Sequence, residues 1–233
     1  MKYIDVKSTD PAYNLALEEY FYKKKNETFV LLWQNNPCVV IGCNQYADRE
    51  VDLETAKRML IPVVRRHTGG GAVYQDQGNL NFSFICNVDE IPEGEVYLLE
   101  IVIQALKNLG IEACFNGRND LLVEERKISG SAWRQDDARM LHHGTLMFDV
   151  DIAKMQRILT PDKAKLLRNG VKSVESRVAN LKEFDPNLTM KKIKSQIIEL
   201  TQAKEHQMTE IDKKYIQVIY ENKYKTDNWN FKL

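Results

Sequence analysis
Three consecutive glycines, Gly69-Gly70-Gly71, stand between Arg65-Arg66-His67-Thr68 and the apolar stretch Ala72-Val73-Tyr74. No other stretch limits the fold as strongly. Glycine turns backbone N–H groups through φ/ψ values closed to other residues. Three in a row let the chain close on a phosphate with N–H groups as donors. The arginines before them offer planar cationic forks to the same anion. The segment reads as a site for a phosphorylated or carboxylated small molecule. A glycine-rich hairpin without a ligand is the other reading, because short glycine motifs recur by chance.

The spacing does not match the two best-known nucleotide loops. No Lys-Ser or Lys-Thr follows at P-loop distance, and the glycines are contiguous rather than G-x-G-x-x-G. Ala72–Tyr74 leads through the turn-rich Gln75-Asp76-Gln77-Gly78-Asn79 into Leu80–Ile85. There Leu80, Phe82 and Phe84 alternate with Asn81 and Ser83, as in a half-buried strand. The loop is therefore expected at a sheet edge, before a β-hairpin. Amides and cations would hold the anion, not a helix dipole.

The chain has 233 residues, with 33 basic and 33 acidic side chains. That balance argues against a nucleic-acid partner, which needs a basic footprint. The longest apolar runs are too short for a membrane span. The start, Met1-Lys2-Tyr3-Ile4-Asp5-Val6, turns polar too early for a signal peptide. Cys38, Cys43, Cys86 and Cys114 form no C-x-x-C pair. They read as buried, reduced thiols in a cytoplasmic protein.

Asp10-Pro11 signals a helix start, with an N-cap followed by proline. Tyr13, Leu17, Tyr20 and Phe21 then follow helical spacing. Thr28–Trp33 and Cys38–Gly42, joined by Gln34-Asn35-Asn36-Pro37, read as a hairpin. Val51–Leu60 is a short helix and Ile61–Arg66 the strand that delivers the glycine loop. Val96–Leu109 is a helix closed by Gly110. Leu121–Val123 and Gly144–Val150 look like strands, and Pro161–Arg168 like a short helix. Thr189–Ala203 and Thr209–Tyr224 are amphipathic helices, the second opened by a capping box of Thr209 and Asp212. Strands dominate early and helices late, so an α+β domain with helices on a sheet is expected.

Three further blocks put polar groups at the ends of apolar segments: Gly117-Arg118-Asn119-Asp120, Lys127-Ile128-Ser129-Gly130-Ser131-Ala132 and His142-His143-Gly144-Thr145-Leu146. Lys127, facing a small-residue loop, suits a carboxylate or phosphate as a point charge. A solvated surface lysine is the plainer reading. His142 and His143 are adjacent on a strand and face opposite sides, which disfavours a metal pair.

Taken in order, these blocks resemble the lipoate–protein ligases. Arg65-Arg66-x-Thr68-Gly69-Gly70-Gly71-Ala72-Val73-Tyr74 and Gly78-Asn79-x-Asn81-Phe82-Ser83 come first, then the three blocks above. The opening Asp10–Glu19 and the late Ser173-Val174-x-Ser176-Arg177-Val178-x-Asn180-Leu181 also look like family segments. The resemblance implies the biotin/lipoate ligase fold, a mixed β-sheet flanked by helices and related to class II aminoacyl-tRNA synthetases. It implies that ATP, with Mg²⁺, converts lipoate to lipoyl-AMP. The lipoyl group then passes to a lysine of an acceptor domain, in a 2-oxoacid dehydrogenase E2 or the glycine-cleavage H protein.

The same resemblance implies residue roles. Lys127 becomes the central cation between carboxylate-derived oxygen and phosphate, where charge builds up during adenylation. Arg66, Thr68 and Gly69, Gly70 and Gly71 would face the lipoyl group, with Asn79, His143 and Gly144 completing the substrate site. Val73, Tyr74, Gln75 and Ser129 would border the nucleotide. Asp120 would hold Mg²⁺ and take up charge from the incoming lysine.

Two departures stand out. Gln75 replaces the family's usual histidine, and the chain stops at Asn228–Leu233, which resembles the end of the large domain. One catalytic domain over 1–233, without the small C-terminal domain, is expected. It could be a complete ligase, a large subunit needing a separate small protein, or a transferase using preformed lipoyl-AMP. A cysteine-dependent octanoyl- or lipoyl-transferase of the same fold needs a late thiolate. No cysteine follows Cys114.

Overall fold
The computed structural model describes residues 1–91, 94–160 and 177–232. Its larger sheet comprises β1 (Lys2–Asp5), β2 (Phe29–Trp33), β6 (Asn79–Asn87), β7 (Cys114–Phe115), β8 (Asp120–Val123), β9 (Arg126–Asp136), β10 (Arg139–Met147) and β11 (Lys204–Glu205). They lie in the order β11-β1-β2-β6-β10-β9-β8-β7. β1 runs parallel to β2 and β11, and the other pairs are antiparallel, so the sheet is mixed. A smaller sheet holds β3 (Cys38–Ile41), β4 (Val63–Arg65) and β5 (Val73–Gln75) in the order β4-β3-β5.

The helices are α1 (Pro11–Lys24), α2 (Ala47–Glu50), α3 (Leu53–Arg58), α4 (Glu95–Asn108), α5 (Ile152–Ile158), α6 (Met190–Thr201), α7 (Glu210–Ile219) and α8 (Asp227–Asn230). The Asp10 carboxylate accepts the N–H groups of Ala12 and Tyr13 and so caps α1. Thr209 and Asp212 form the expected capping box on α7. Gly110 ends the α4 region with φ +83.

The large sheet has a core on each face. Leu80, Phe82 and Phe84 pack with Leu98, Val102 and Leu106 of α4 and Ile193 and Ile197 of α6. Phe29, Leu31 and Ile85 pack with Leu17 and Phe21 of α1 and Ile216 of α7. Burying such side chains contributes roughly 1.5–3 kcal/mol each. The small sheet forms a third core with α3 and α5. Among the described residues, no helix is long and apolar enough to cross a membrane.

The α+β architecture is as expected, but several local readings change. β2 and β3 are not a hairpin: β2 is paired along both edges by β1 and β6, so β3 has no edge to join. β5 and β6 also part, because β6 lies between β2 and β10. Their connection crosses between sheets at Gly78, where a Cβ would stand 1.9 Å from the Asp149 carbonyl oxygen. β6 is buried on both faces rather than half-buried, since α1 covers the face that carries Asn81 and Ser83. Lys127–Ala132 is not a loop but part of β9. Of the cysteines, Cys38 and Cys86 are buried, Cys43 is partly exposed and Cys114 exposed. The helix expected at Pro161–Arg168, and Ser173–Ser176, lie outside the described residues.

Candidate active site
Strand register places Trp33, Asn81, Thr145, Gly130 and Asp120 side by side across five strands. Ser83, His143 and Ala132 form the neighbouring row. The glycine loop lies against this surface, and a cleft runs between them. Arg66, Gly70, Gly71, Val73 and Gln75 line one side; Asn119, Lys127, Gly130, Ser131 and Ala132 line the other. Asn81, His143, Gly144 and Thr145 line it between them, and Leu15, Trp33, Asn35 and Val40 add to its wall.

The loop is wound around Arg66. Nη2 donates to the carbonyls of Gly69 (2.6 Å) and Gly71 (2.8 Å), and Nη1 to that of Val40 (3.2 Å). Nε donates to Thr68 Oγ1 at 3.1 Å. Burial lowers this guanidinium's pKa to about 10, against the pull of Cys43 and Glu18. Gly70 has φ +92, and a Cβ there would lie 2.8 Å from Arg66 Nη2. Gly42 lets the loop approach: its Cβ would stand 2.2 Å from the Gly70 carbonyl oxygen.

The fork of Arg65 does not serve an anion. It is fully buried and donates to carbonyls of Gly42, Cys43, Gln45, Trp229, Asn230 and Lys232. It ties the segment after β3 to the last residues of the chain.

Behind the loop, Thr68 Oγ1 meets His143 Nε2 at 2.8 Å and His143 Nδ1 meets Glu18 Oε1 at 2.8 Å. Ser83 donates to the same Glu18 oxygen. Burial pushes the Glu18 pKa up, but His143, then His67 and Ser83, outweigh it and hold it below the usual range. Beside this chain, His67 Nδ1 lies 3.1 Å from the Tyr224 hydroxyl, which donates to Glu19. That requires Nδ1–H to be the donor and leaves Nε2 buried without a partner among the described residues. Burial accordingly lowers the His67 pKa to about 4, against the attraction of Glu18 and Glu19.

On the opposite side, Lys127 Nζ pairs with Asp120 Oδ1 at 2.8 Å. A Cβ on Gly130 would lie 3.0 Å from that nitrogen and 3.7 Å from the carboxylate oxygen. The glycine therefore leaves room for the lysine to lie over its own strand and reach Asp120 on β8. Asn116 Oδ1 accepts N–H groups from Arg118, Asn119 and Asp120 and fixes the turn that presents the carboxylate.

The structure brings Arg66, Gly70, Gly71, Val73, Gln75, Lys127, His143 and Gly144 to the cleft surface. Asp120 stands beside them through Lys127. Thr68, Gly69, Tyr74, Asn79 and Ser129 are not on that surface. Tyr74 turns into the core of the small sheet. Asn79 donates to Asn81 Oδ1 at 3.1 Å. Gln75 Oε1 accepts from Asn35 Nδ2 at 2.7 Å, so this side chain, not only the backbone, shapes the cleft. Gly144 is required by packing, since a Cβ would meet the Phe82 ring at 2.4 Å. Sequence reasoning missed Glu18, Trp33, Asn35 and Asn81 as site residues. For Glu18 the available signal was a carboxylate among the apolar residues of α1.

A model of the lipoyl protein ligase A/B catalytic domain matches residues 10–202. Lipoate–protein ligase 1 of Staphylococcus aureus is 40% identical over 245 residues, covering 99% of this chain and 73% of that protein. Lipoate-protein ligase LplJ of Bacillus subtilis is 39% identical over 247 residues, with the same coverage of 99% and 73%. Among solved structures, the bi-partite lipoate protein ligase of Thermoplasma acidophilum, described with its E2 lipoyl domain, superposes with a TM-score of 0.89. It is 28% identical and covers 99% of this chain and 95% of that one. A lipoate-protein ligase A bound with ATP gives 0.87 at 26% identity, covering 99% and 98%.

Proposed function
The chain belongs to the lipoyl protein ligase A/B catalytic family, and we propose that it activates lipoate with ATP and passes the lipoyl group to an acceptor lysine. The observation that carries this reading is the Lys127–Asp120 pair set over Gly130, opposite a glycine loop held by Arg66. Lipoate is an apolar chain ending in a carboxylate. Leu15, Trp33 and Val40 supply an apolar wall, and Lys127 supplies a cation at its polar end.

In adenylation, a carboxylate oxygen of lipoate attacks the α-phosphorus of ATP and pyrophosphate leaves. Lys127 neutralises charge on both the attacking oxygen and the phosphate. Val73 and Gln75 border the nucleotide, and the Thr68–His143–Glu18 chain fixes the loop that closes over the lipoyl group. In transfer, the acceptor amine attacks the carbonyl carbon, the mixed-anhydride C–O bond breaks and AMP leaves. Asp120 faces the incoming ammonium. Mg²⁺ requires only one or two carboxylates when phosphates supply its other ligands. The described residues contain no group of three His, Cys, Asp or Glu placed to hold a metal ion. Asp120, with one oxygen on Lys127, fits an ion that arrives with the nucleotide and offsets phosphate charge.

The acceptors are lipoyl domains of 2-oxoacid dehydrogenase E2 subunits and the glycine-cleavage H protein, and the reaction takes place in the cytoplasm. Residues 1–233 act as one catalytic unit. The likeness to the Thermoplasma bi-partite ligase favours a second reading, in which a separate small protein is needed for adenylation. Lipoate-dependent ATP–pyrophosphate exchange by the purified chain tests both. Exchange by the chain alone supports a self-sufficient ligase. Transfer from synthetic lipoyl-AMP without exchange supports the two-protein reading, and neither activity overturns the proposal. The cysteine-dependent transferase is disfavoured because the described cleft lining holds no cysteine.

A further inference from the structure
Asn81 is 2% exposed, yet it lines the cleft. Its Oδ1 accepts from Asn79 Nδ2, which sets the orientation of its amide. Its Nδ2 is buried without a partner among the described residues. The other buried polar side chains on the cleft wall are engaged: Arg66 with carbonyls, Asn35 with Gln75, and His143 with Thr68 and Glu18. A buried donor left unpaired is unfavourable until an acceptor reaches it.

Its place in the row says which acceptor. Trp33 flanks Asn81 on β2, at the apolar side. Thr145, Gly130 and Asp120 follow on the other side, with Lys127 standing over Gly130. Asn81 thus occupies the junction between apolar wall and cation, where the carboxyl group of an apolar acid belongs. Strand spacing separates the backbones of Asn81 and Gly130 by roughly 10 Å. Side chains from both directions shorten that gap, and a carboxyl group bridges it with one oxygen toward each nitrogen. The oxygen near Lys127 becomes the one bonded to phosphorus. The other remains the carbonyl oxygen.

We propose that Asn81 is a catalytic residue whose Nδ2–H donates to the carbonyl oxygen of the acyl adenylate and to the oxyanion derived from it. This rests on the ligase reading above. When the acceptor amine attacks, the C–N bond forms and the carbonyl π pair moves onto that oxygen. The pair returns as the C–O bond to AMP breaks, AMP leaves with the bonding electrons, and the amine proton passes through Asp120 to solvent. A donor aimed at the oxyanion acts on transfer more than on ground-state binding.

The test uses the full chain with Asn81→Leu and Asn81→Asp. Single-turnover transfer is followed from preformed lipoyl-AMP to the lipoyl domain of a 2-oxoacid dehydrogenase E2. The transfer rate at saturating lipoyl-AMP is expected to fall about 10²- to 10³-fold, with a far smaller change in half-saturation. Asn81→Ser, a smaller change that keeps a donor, is expected to lose less than either and serves if the others fail to fold. A transfer rate within about threefold of the unaltered chain, or a loss confined to half-saturation, would overturn the role, because a transition-state donor acts on the rate. No transfer by the unaltered chain removes the ligase reading and this role with it. Transfer by the unaltered chain and equally by the variants removes this role alone.

Discussion
On the loop side of the cleft, Arg66 and its buried neighbour Arg65 donate mainly to backbone carbonyls, and Thr68, His143, Glu18 and Ser83 form a buried hydrogen-bonded chain. On the other, Lys127 reaches over a glycine to one carboxylate, with 33% of its side chain exposed. Buried polar groups are costly unless paired, so the loop side is held by many bonds that must all survive. The lysine side has few bonds to lose, and its ammonium is open to substrate. Stability is thus lodged on the loop side and, on the proposed reading, chemistry on the lysine side.

Lys127→Ala should give the largest functional effect. Adenylation should fall by at least about 10³-fold with the loss of its main cation. Stability should change by less than about 1 kcal/mol, because the ion pair it breaks is partly solvated. ATP–pyrophosphate exchange and urea unfolding on the same preparation measure both. Exchange within tenfold of the unaltered chain would take the chemistry away from the lysine side.

Arg65→Ala should show the reverse. Six carbonyls lose a donor, and stability should fall by about 3–5 kcal/mol in urea unfolding. Arg65→Lys should recover little of this, since an ammonium cannot replace a planar fork with five donors. A loss below about 1 kcal/mol would show that the last residues of the chain are not tied to the segment after β3 through this side chain.

The loop side should also respond to acid. His67 is held near pKa 4 against 6.5 in the unfolded chain. Between those values the unfolded state binds more protons, so stability declines as pH falls from 6.5 to 4, by up to about 3 kcal/mol. Glu19, held at about 2 against 4.5, loses its contribution lower, as pH falls from 4.5 toward 2. His67→Gln should flatten the upper window and leave the lower one. Chemical denaturation across pH 4–7 would expose an unchanged slope, which would place the acid sensitivity elsewhere.

This division explains what was legible in the sequence. Asp10-Pro11, the Thr209–Asp212 box and the ends of α4 and α6 could be read because caps and helical periodicity are local. The glycine run and Lys127 stood out because they sit in compact local motifs, and the structure brings Gly70, Gly71 and Lys127 to one cleft. The pairing of β2 and β5 could not, because turn residues say that a chain reverses but not which sheet it enters. β9 was hidden by Lys127–Ala132, where Ser and Gly are poor strand formers and neighbours on β8 and β10 impose the conformation. Glu18 and Asn81 were hidden because burial is a tertiary property.

Two glycine substitutions give the finest test, since one adds a methyl beside the Lys127 ammonium and the other adds a methyl to the packed core beneath the cleft. At Gly130 the new Cβ would lie 3.0 Å from Lys127 Nζ and 3.2 Å from Cε, the far end of a flexible side chain. The lysine can shift by a few tenths of an ångström, so Gly130→Ala should alter stability by less than about 0.5 kcal/mol. The shift moves the cation off its working position, and misplacement of this size should slow adenylation roughly tenfold. At Gly144 the Cβ would meet the Phe82 ring at 2.4 Å, and that ring is fully buried in the core. Gly144→Ala should cost about 1–3 kcal/mol through overpacking. Equal stability losses at the two positions would mean that Lys127 is as tightly held as the core. A Gly130→Ala variant of unchanged rate would mean that the ammonium finds its substrate from more than one position.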